Sequence, residues 1–209
     1  MTCAGRDDRC YAPATQRNRE PILTVLSRLL PQAPGSILEI ASGTGEHAVF
    51  LAPRLAPRLW LPSDPDPIAR QSITAWRQSQ PAANLLAPLA VDVSQPDWWL
   101  ALPEFSPALQ AIVAINLLHI APWQACLGLM AGARTLLSRG GILYLYGPFW
   151  QQDQPTAPSN IAFDEYLKAQ NPEWGLRSLE TVITVAQPLR LVEIIAMPAN
   201  NLSVILRLP

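Results

Sequence analysis

Apolar residues recur along the chain in two rhythms. In "NREPILTVLSRLL" (18–30) they fall at Ile22, Leu23, Val25, Leu26, Leu29 and Leu30, the spacing of one helical face. Asn18 stands where a helix cap is expected and Pro21 where a first turn tolerates proline. "SILEIA" (36–41) is instead apolar throughout apart from one acid, as a buried strand is. Gly43 and Gly45 follow, then a helix to about Ala56 whose end Pro53 and Pro57 disturb. The pattern then predicts a strand over "RLWLPS" (58–63), a helix over 66–80 and a strand over "LLAPLAVDV" (85–93) that Pro88 interrupts. "AIVAINLL" (111–118) is a fourth strand, 122–138 a helix closed by Gly140 and Gly141, and "GILYLYG" (141–147) a fifth strand.

Continuously apolar strands alternating with amphipathic helices predict a parallel sheet covered on both faces, with right-handed crossovers. The last third adds helices over 159–170 and 178–186, then the strands "LRLVEIIAM" and "NLSVILRL" joined only by "PANN". A parallel pair needs a crossover of about a dozen residues, so this pair must be an antiparallel hairpin. The expected fold is α/β: one doubly wound, Rossmann-like domain over residues 11–209, with a mostly parallel seven-stranded sheet ending in that hairpin, behind a polar tail of residues 1–10.

Composition narrows the function. Fifteen basic and sixteen acidic residues give a net charge of −1, and the basic ones are scattered, which argues against a nucleic-acid footprint. Arg6, Asp7, Asp8 and Arg9 sit where a secretory signal needs an apolar core, and no apolar run reaches membrane-spanning length, so a cytoplasmic protein without a membrane partner is expected. Three cysteines, Cys3, Cys10 and Cys126, with no C-x-x-C spacing and no paired-histidine motif, predict free thiols and no metal site. The 22 prolines fall between periodic segments and read as punctuation of loops and helix starts. Oligomeric state is not legible.

In an open α/β sheet, ligands bind beyond the carboxyl ends of the strands where strand order reverses. Gly43 and Gly45, after the first strand, allow a tight turn and a close backbone approach. Gly43-Thr44-Gly45-Glu46-His47-Ala48 fits the G-x-G-x-x-A dinucleotide fingerprint, which leaves two cofactor classes open, a nicotinamide dinucleotide and an adenosyl sulfonium. The acids discriminate between them: Glu39 inside the strand end, Asp64 nineteen residues after Gly45, and Asp92 after the third strand. A dinucleotide domain shares the Asp64 position but has no systematic use for the other two.

Glu39-Ile40-Ala41-Ser42-Gly43-Thr44-Gly45 resembles motif I of S-adenosylmethionine-dependent methyltransferases of class I, with Ala41 where the first glycine is usual. "RNREPIL", "PSDPD", "SITAW", "INLLHIAPWQACLGLMAGA", "LYLYGPF", "TAPSNIAFD", "NPEWGLR" and "MPANNL" extend a resemblance, in unbroken order from Tyr11 to Leu208, to the methyltransferase-like 26 family. One departure is "AQPLRLVE", shorter before the penultimate strand and with Pro188 where a glycine is usual. The resemblance implies S-adenosylmethionine as cofactor, held by Glu39, Ala41, Ser42, Gly43, Thr44, Gly45, Asp64 (ribose), Asp92 (adenine), Val93 and Asn116. Asn116 and His119, after the fourth strand, and Tyr146, at the end of the fifth, stand at the ligand edge of the expected sheet and are candidates to face the methyl acceptor, expected to be a small molecule, with His119 a candidate base. His47, behind the glycine turn, is expected to pack or to contact the cofactor. Arg17, Asn18, Asn160, Arg177, Asn200 and Asn201 are candidate substrate contacts, suited to an anionic or amide-bearing molecule, and Gln151 to Asn160 is long enough for a lid. Trp98, Trp99 and Trp123 read as packing. The competing readings are a silent cofactor-binding sensor or scaffold and, third, an NAD(P)-dependent oxidoreductase.

Overall fold

The computed structural model describes residues 2–3, 8–30, 34–105 and 107–209. Its elements are β1 (Thr2–Cys3), β2 (Cys10–Tyr11), α1 (Pro13–Leu29), β3 (Ser36–Ile40), α2 (Glu46–Arg54), β4 (Leu59–Pro62) and α3 (Pro67–Ser79). There follow β5 (Leu109–Ile115), α4 (Trp123–Leu136), β6 (Ile142–Gly147), β7 (Phe149–Trp150), α5 (Pro158–Gln170), β8 (Arg177–Ser178), α6 (Leu179–Val185), β9 (Arg190–Met197) and β10 (Asn201–Arg207). Among the described residues no helix is long and apolar enough to cross a membrane.

The central sheet has six strands in the order β4-β3-β5-β6-β10-β9. β3 and β4 pair in parallel, whereas β10 runs antiparallel to both β6 and β9, so the expected terminal hairpin forms. The seventh strand does not. Residues 85–93 make only two isolated bridges beside β4, Trp60 with Leu85 and Ser63 with Leu89. The cause is two facing prolines. The Trp60 N–H donates to the Asn84 carbonyl and the Leu86 N–H to the Trp60 carbonyl, so the next rung of a parallel ladder would need N–H groups from residues 62 and 88. Both are proline and have none. The ladder skips, and the Pro62 carbonyl accepts from Leu89 instead.

The chain clusters into two compact units, Met1–Asp92 with Leu102–Val113 and Val93–Ala101 with Ala114–Pro209. In the first unit α1 begins at Pro13, so Asn18 lies inside the helix, buried, and Pro21 is interior too. Ala12, the residue that opens the helix, donates its N–H to the Glu46 carboxylate at 2.6 Å, a tertiary contact that no local pattern announces. Cys10 also departs from expectation: it is disulfide-bonded, while Cys126 is a buried free thiol. The side chain of Cys3 lies outside the described residues. Cys10 is anchored to α3, its N–H donating to Ser72 Oγ at 2.8 Å and its carbonyl accepting from Trp76 Nε1 at 3.0 Å.

In the second unit a short 3-10 helix, Trp98–Ala101, seats Trp98 on α4. The Trp98 indole N–H donates to the Gly128 carbonyl at 2.9 Å, and a Cβ on Gly132 would lie 2.0 Å from the ring. At Gly128 a Cβ would lie 1.8 Å from the Val93 carbonyl oxygen. Alanine at position 128 gains about 1 kcal/mol in helix propensity and loses more to that backbone collision. Gly128→Ala is therefore expected to lower the unfolding free energy by about 1–3 kcal/mol in urea titrations, against the sign that propensity alone predicts.

Candidate functional site

In the first unit the chain leaves β3 through a turn in which every second residue is left-handed: Ala41 (φ 54°), Gly43 (φ 56°) and Gly45 (φ 87°). At Gly45 glycine is required twice, since a Cβ there would also come within 2.8 Å of the Ile73 backbone on α3. At Gly43 a Cβ would meet nothing within 4 Å, so this side of the turn is open to a ligand. Ala41 carries the same conformation with a Cβ, a strained arrangement of the kind that persists at functional turns.

The turn is pinned from β4. The Ser42 N–H donates to the Ser63 carbonyl at 2.8 Å and the Ser63 N–H to Ser42 Oγ at 3.1 Å. Asp64 accepts the Gly43 N–H on one carboxylate oxygen and the Asp66 N–H on the other, each at 2.9 Å. Burial raises the Asp64 pKa, and the two N–H groups act against that rise. Glu39, 1% exposed, accepts from Trp60 Nε1 at 2.9 Å. Burial pushes its pKa up to about 7; Trp60 and Ser42 oppose the shift and the neighbouring Asp64 adds to it, so no cation is among the groups acting on it.

Thr44 and Gly45 lead into α2, where Thr44 Oγ1 donates to the Glu46 carboxylate at 3.1 Å. Glu46, which the sequence reading did not single out, thereby joins the turn to the start of α1. His47 Nε2 lies 2.8 Å from Asn18 Oδ1, and burial, with Arg19 adding to it, lowers the His47 pKa to about 4. Arg17 is exposed on α1. Asp92 is half-buried at the end of the first unit; Val93 is buried in the second.

The second unit has its own cluster. Beyond β5, Asn116 turns the chain in the left-handed region (φ 57°) and donates its N–H to the Tyr146 carbonyl at 2.8 Å. His119 is buried, its ring edge-on to Phe163 at 5.5 Å, and neither ring nitrogen meets a hydrogen-bond partner among the described residues. A Cβ on Gly147 would lie 3.3 Å from His119 Nδ1 and 3.8 Å from Asn116 Oδ1, so these three residues converge. Burial, with Arg177 adding to it, lowers the His119 pKa to about 4, leaving a neutral imidazole at neutral pH. Tyr146 is buried beside them.

Arg177 is committed to main chain, donating to the carbonyls of Leu118 (3.0 Å), Ala121 (2.6 Å) and Glu173 (2.7 Å). Asp164 clamps the same loop, accepting from the Leu176 N–H and Lys168 Nζ. Asn160 lies in the first turn of α5 and donates to the Asn200 carbonyl at 3.1 Å, which brings Asn160, Asn200 and Asn201 around the hairpin. Phe163, Gly147 and the Asp164 clamp escaped the sequence reading as members of one cluster, because their segments are far apart in the chain.

The family described as protein of unknown function, DUF938, matches residues 9–208. The chain belongs to the DUF938 family. Among solved structures this DUF938 chain is similar to an O-methyltransferase family protein from Burkholderia thailandensis (TM-score 0.76, 14% identity, 93% of this chain and 57% of that one). It is similar to human N-acetylserotonin methyltransferase in complex with SAM (TM-score 0.74, 14% identity, 93% and 52%). It also resembles magnesium protoporphyrin IX methyltransferase from Synechocystis PCC 6803 with bound SAH (TM-score 0.67, 10% identity, 92% and 82%). At these identities the likeness shows the fold, that of class I methyltransferases. The DUF938 chain spans little more than half the length of the first two.

Glu39 gives a pH test of this turn. Its folded pKa lies above the ordinary 4.5, so its contribution to stability is full below pH 4.5 and is lost as pH rises through about 7. His47 and His119 act in the opposite sense, their lowered pKa values costing stability as pH falls from 6.5 towards 4. The informative quantity is thus the difference between wild type and Glu39→Gln. Unfolding titrations are expected to show the variant gaining about 2–3 kcal/mol on wild type between pH 4.5 and 8. A pH-independent difference contradicts the buried, uncompensated carboxylate.

Proposed function

We propose that the chain is an S-adenosylmethionine-dependent methyltransferase acting on a small molecule, as its resemblance to the methyltransferase-like 26 family implies. The observation that carries the reading is Asp64, reaching from the end of β4 to the Gly43 N–H across a turn whose open side would otherwise hold a Cβ. S-adenosylmethionine, when bound, supplies a methyl group on a sulfonium. The chain's own contribution is to bind, align and exclude water.

In this reading Glu39 with the Ala41, Ser42, Gly43, Thr44 and Gly45 turn holds the methionine part. Asp64, whose oxygens each keep acceptor capacity beyond one N–H, takes the ribose hydroxyls. Asp92 and Val93 are assigned to the adenine. Asn116, His119 and Tyr146 are assigned to the acceptor, with His119 receiving the acceptor's proton on a ring nitrogen. Its neutrality suits that role, although a pKa of about 4 makes it a weak base until a bound acceptor or product charge raises it. Neither the silent binding module nor the dinucleotide oxidoreductase is favoured by the fold likenesses.

Calorimetry with S-adenosylhomocysteine on wild type and Asp64→Ala tests the reading. Loss of a charge-assisted contact is expected to weaken binding by about 1.5–3 kcal/mol, roughly 10- to 150-fold. An unchanged affinity places the nucleoside elsewhere. Binding without any methyl transfer, across small-molecule extracts supplied with S-adenosylmethionine, would favour the silent module.

A further inference from the structure

The second unit contains a cavity of about 230 Å³ between the Gln151–Ala157 segment and the β9–β10 hairpin. Its polar lining is made of amides and one hydroxyl: Gln151, Gln154, Asn160, Asn200, Asn201 and Thr156. Phe149 supplies an aromatic wall, and no ionisable side chain is among the described residues lining it.

The amides are not interchangeable. Asn160 Nδ2 donates to the Asn200 carbonyl at 3.1 Å, and Asn201 Nδ2 donates to the Pro198 and Ala199 carbonyls at 2.9 and 3.3 Å. A carbonyl only accepts, so these contacts fix which end of each amide is nitrogen. Asn200 Nδ2 lies 3.1 Å from Ser159 Oγ. One N–H of Asn160 and both of Asn201 thus serve the frame, and the Oδ1 atoms of these two asparagines are left with no protein partner among the described residues. Ala199 and Asn200 both hold left-handed backbones (φ 57° and 56°), a consecutive non-glycine pair that costs about 1–2 kcal/mol per residue where no side chain compensates. The Asn201 bonds to Pro198 and Ala199 hold that strained turn, and with it the asparagines, at the cavity.

We infer that this cavity binds a small neutral molecule carrying hydroxyl or amide N–H donors, such as a polyol or a carboxamide. Unpaired amide oxygens call for donors. The described lining residues offer no counter-charge, so an anion or an ammonium group would lose hydration there without gaining an ion-pair partner. At about 230 Å³ the space is smaller than drug-sized pockets of roughly 300–1,000 Å³, which suits a small metabolite. Arg177, the cation that an anionic substrate would have used, is spent on three backbone carbonyls. That the ligand is the methyl acceptor rests on the methyltransferase reading; its chemical class rests on the cavity alone.

Ligand-observed NMR with size-matched probes separates the two. Glucose, ribitol and malonamide are the neutral set, and gluconate, glucosamine and malonate the charged set, each with and without saturating S-adenosylhomocysteine. At least one neutral probe is expected to bind at least tenfold more tightly than its charged counterpart, and Asn160→Ala to weaken it at least tenfold. Gln151→Glu, whose side chain makes no frame contact, should keep the fold and shift preference toward glucosamine. Urea unfolding confirms that both variants remain folded; if Asn160→Ala does not, Gln151→Glu decides. Equal binding of charged and neutral probes, no binding of any neutral probe, or indifference to a folded variant overturns the inference. A neutral probe that binds while S-adenosylhomocysteine does not overturns the methyltransferase reading and leaves the cavity's class standing.

Discussion

The carboxylate of Asp64 accepting the Gly43 N–H is the contact that ties the glycine turn of the first unit to the end of β4. A turn that is left-handed at Ala41, Gly43 and Gly45 keeps one backbone bond of its own, from the Gly45 N–H to the Ser42 carbonyl, so its other N–H groups must be met by something else. Ser63 and Asp64, consecutive residues at the end of β4, meet two of them, at Ser42 and Gly43. The geometry of the turn is therefore set by the neighbouring strand together with the turn's own Gly45 to Ser42 bond. Because β3 and β4 pair in parallel with Glu39 opposite Pro62, the residues that follow each strand arrive at the same edge together.

Much of this was legible in the sequence, and the failures have local causes. Periodicity placed the parallel strands, the helices and the terminal hairpin, since each depends on a pattern contained within its own segment. The seventh strand failed at a rung where two prolines, Pro62 and Pro88, face each other, which becomes visible only once the register is known. The start of α1 was missed because its first N–H is satisfied by Glu46, 34 residues away. The left-handed glycine turn and the place of Asp64 beside it were readable because each directly follows a strand. The Asn116, His119, Gly147 and Phe163 cluster was readable only in part, since residues from four segments meet there. Cys10 escaped for a simpler reason: an odd count of cysteines permits one bridge and one free thiol.

The two units solve the burial of polar groups differently. The first concentrates acids beside the glycine turn, Glu39 and Asp64, the charge of Asp64 adding to the rise in the Glu39 pKa, with main-chain N–H groups, hydroxyls and one indole as partners. The second uses its charges as struts: Arg177 ties the loop after His119 to the Glu173 segment, and Asp164 holds the Gly175 turn from the other side. A Cβ on Gly175 would lie 2.7 Å from that carboxylate, so glycine is required there by contact as well as by its φ of 137°. With its charges occupied in this way, the second unit presents neutral amides at its cavity.

Burial without a counter-charge carries a cost that the rest of the fold must offset, and Glu39 bears such a cost in the first unit. A carboxyl whose pKa stands near 7 is held half-ionised at neutral pH by desolvation that Trp60 and Ser42 only partly oppose. An apolar residue would fill the end of β3 at less expense, as it does at Leu38 and Ile40 on either side. The acid becomes intelligible if the bound partner brings positive charge, because a cation nearby lowers the carboxyl's pKa and converts a destabilising group into a favourable one. An adenosyl sulfonium carrying an amino-acid ammonium has that charge, whereas the nicotinamide dinucleotide that the glycine pattern also permits brings phosphates to the same turn and would deepen the conflict with Glu39 and Asp64.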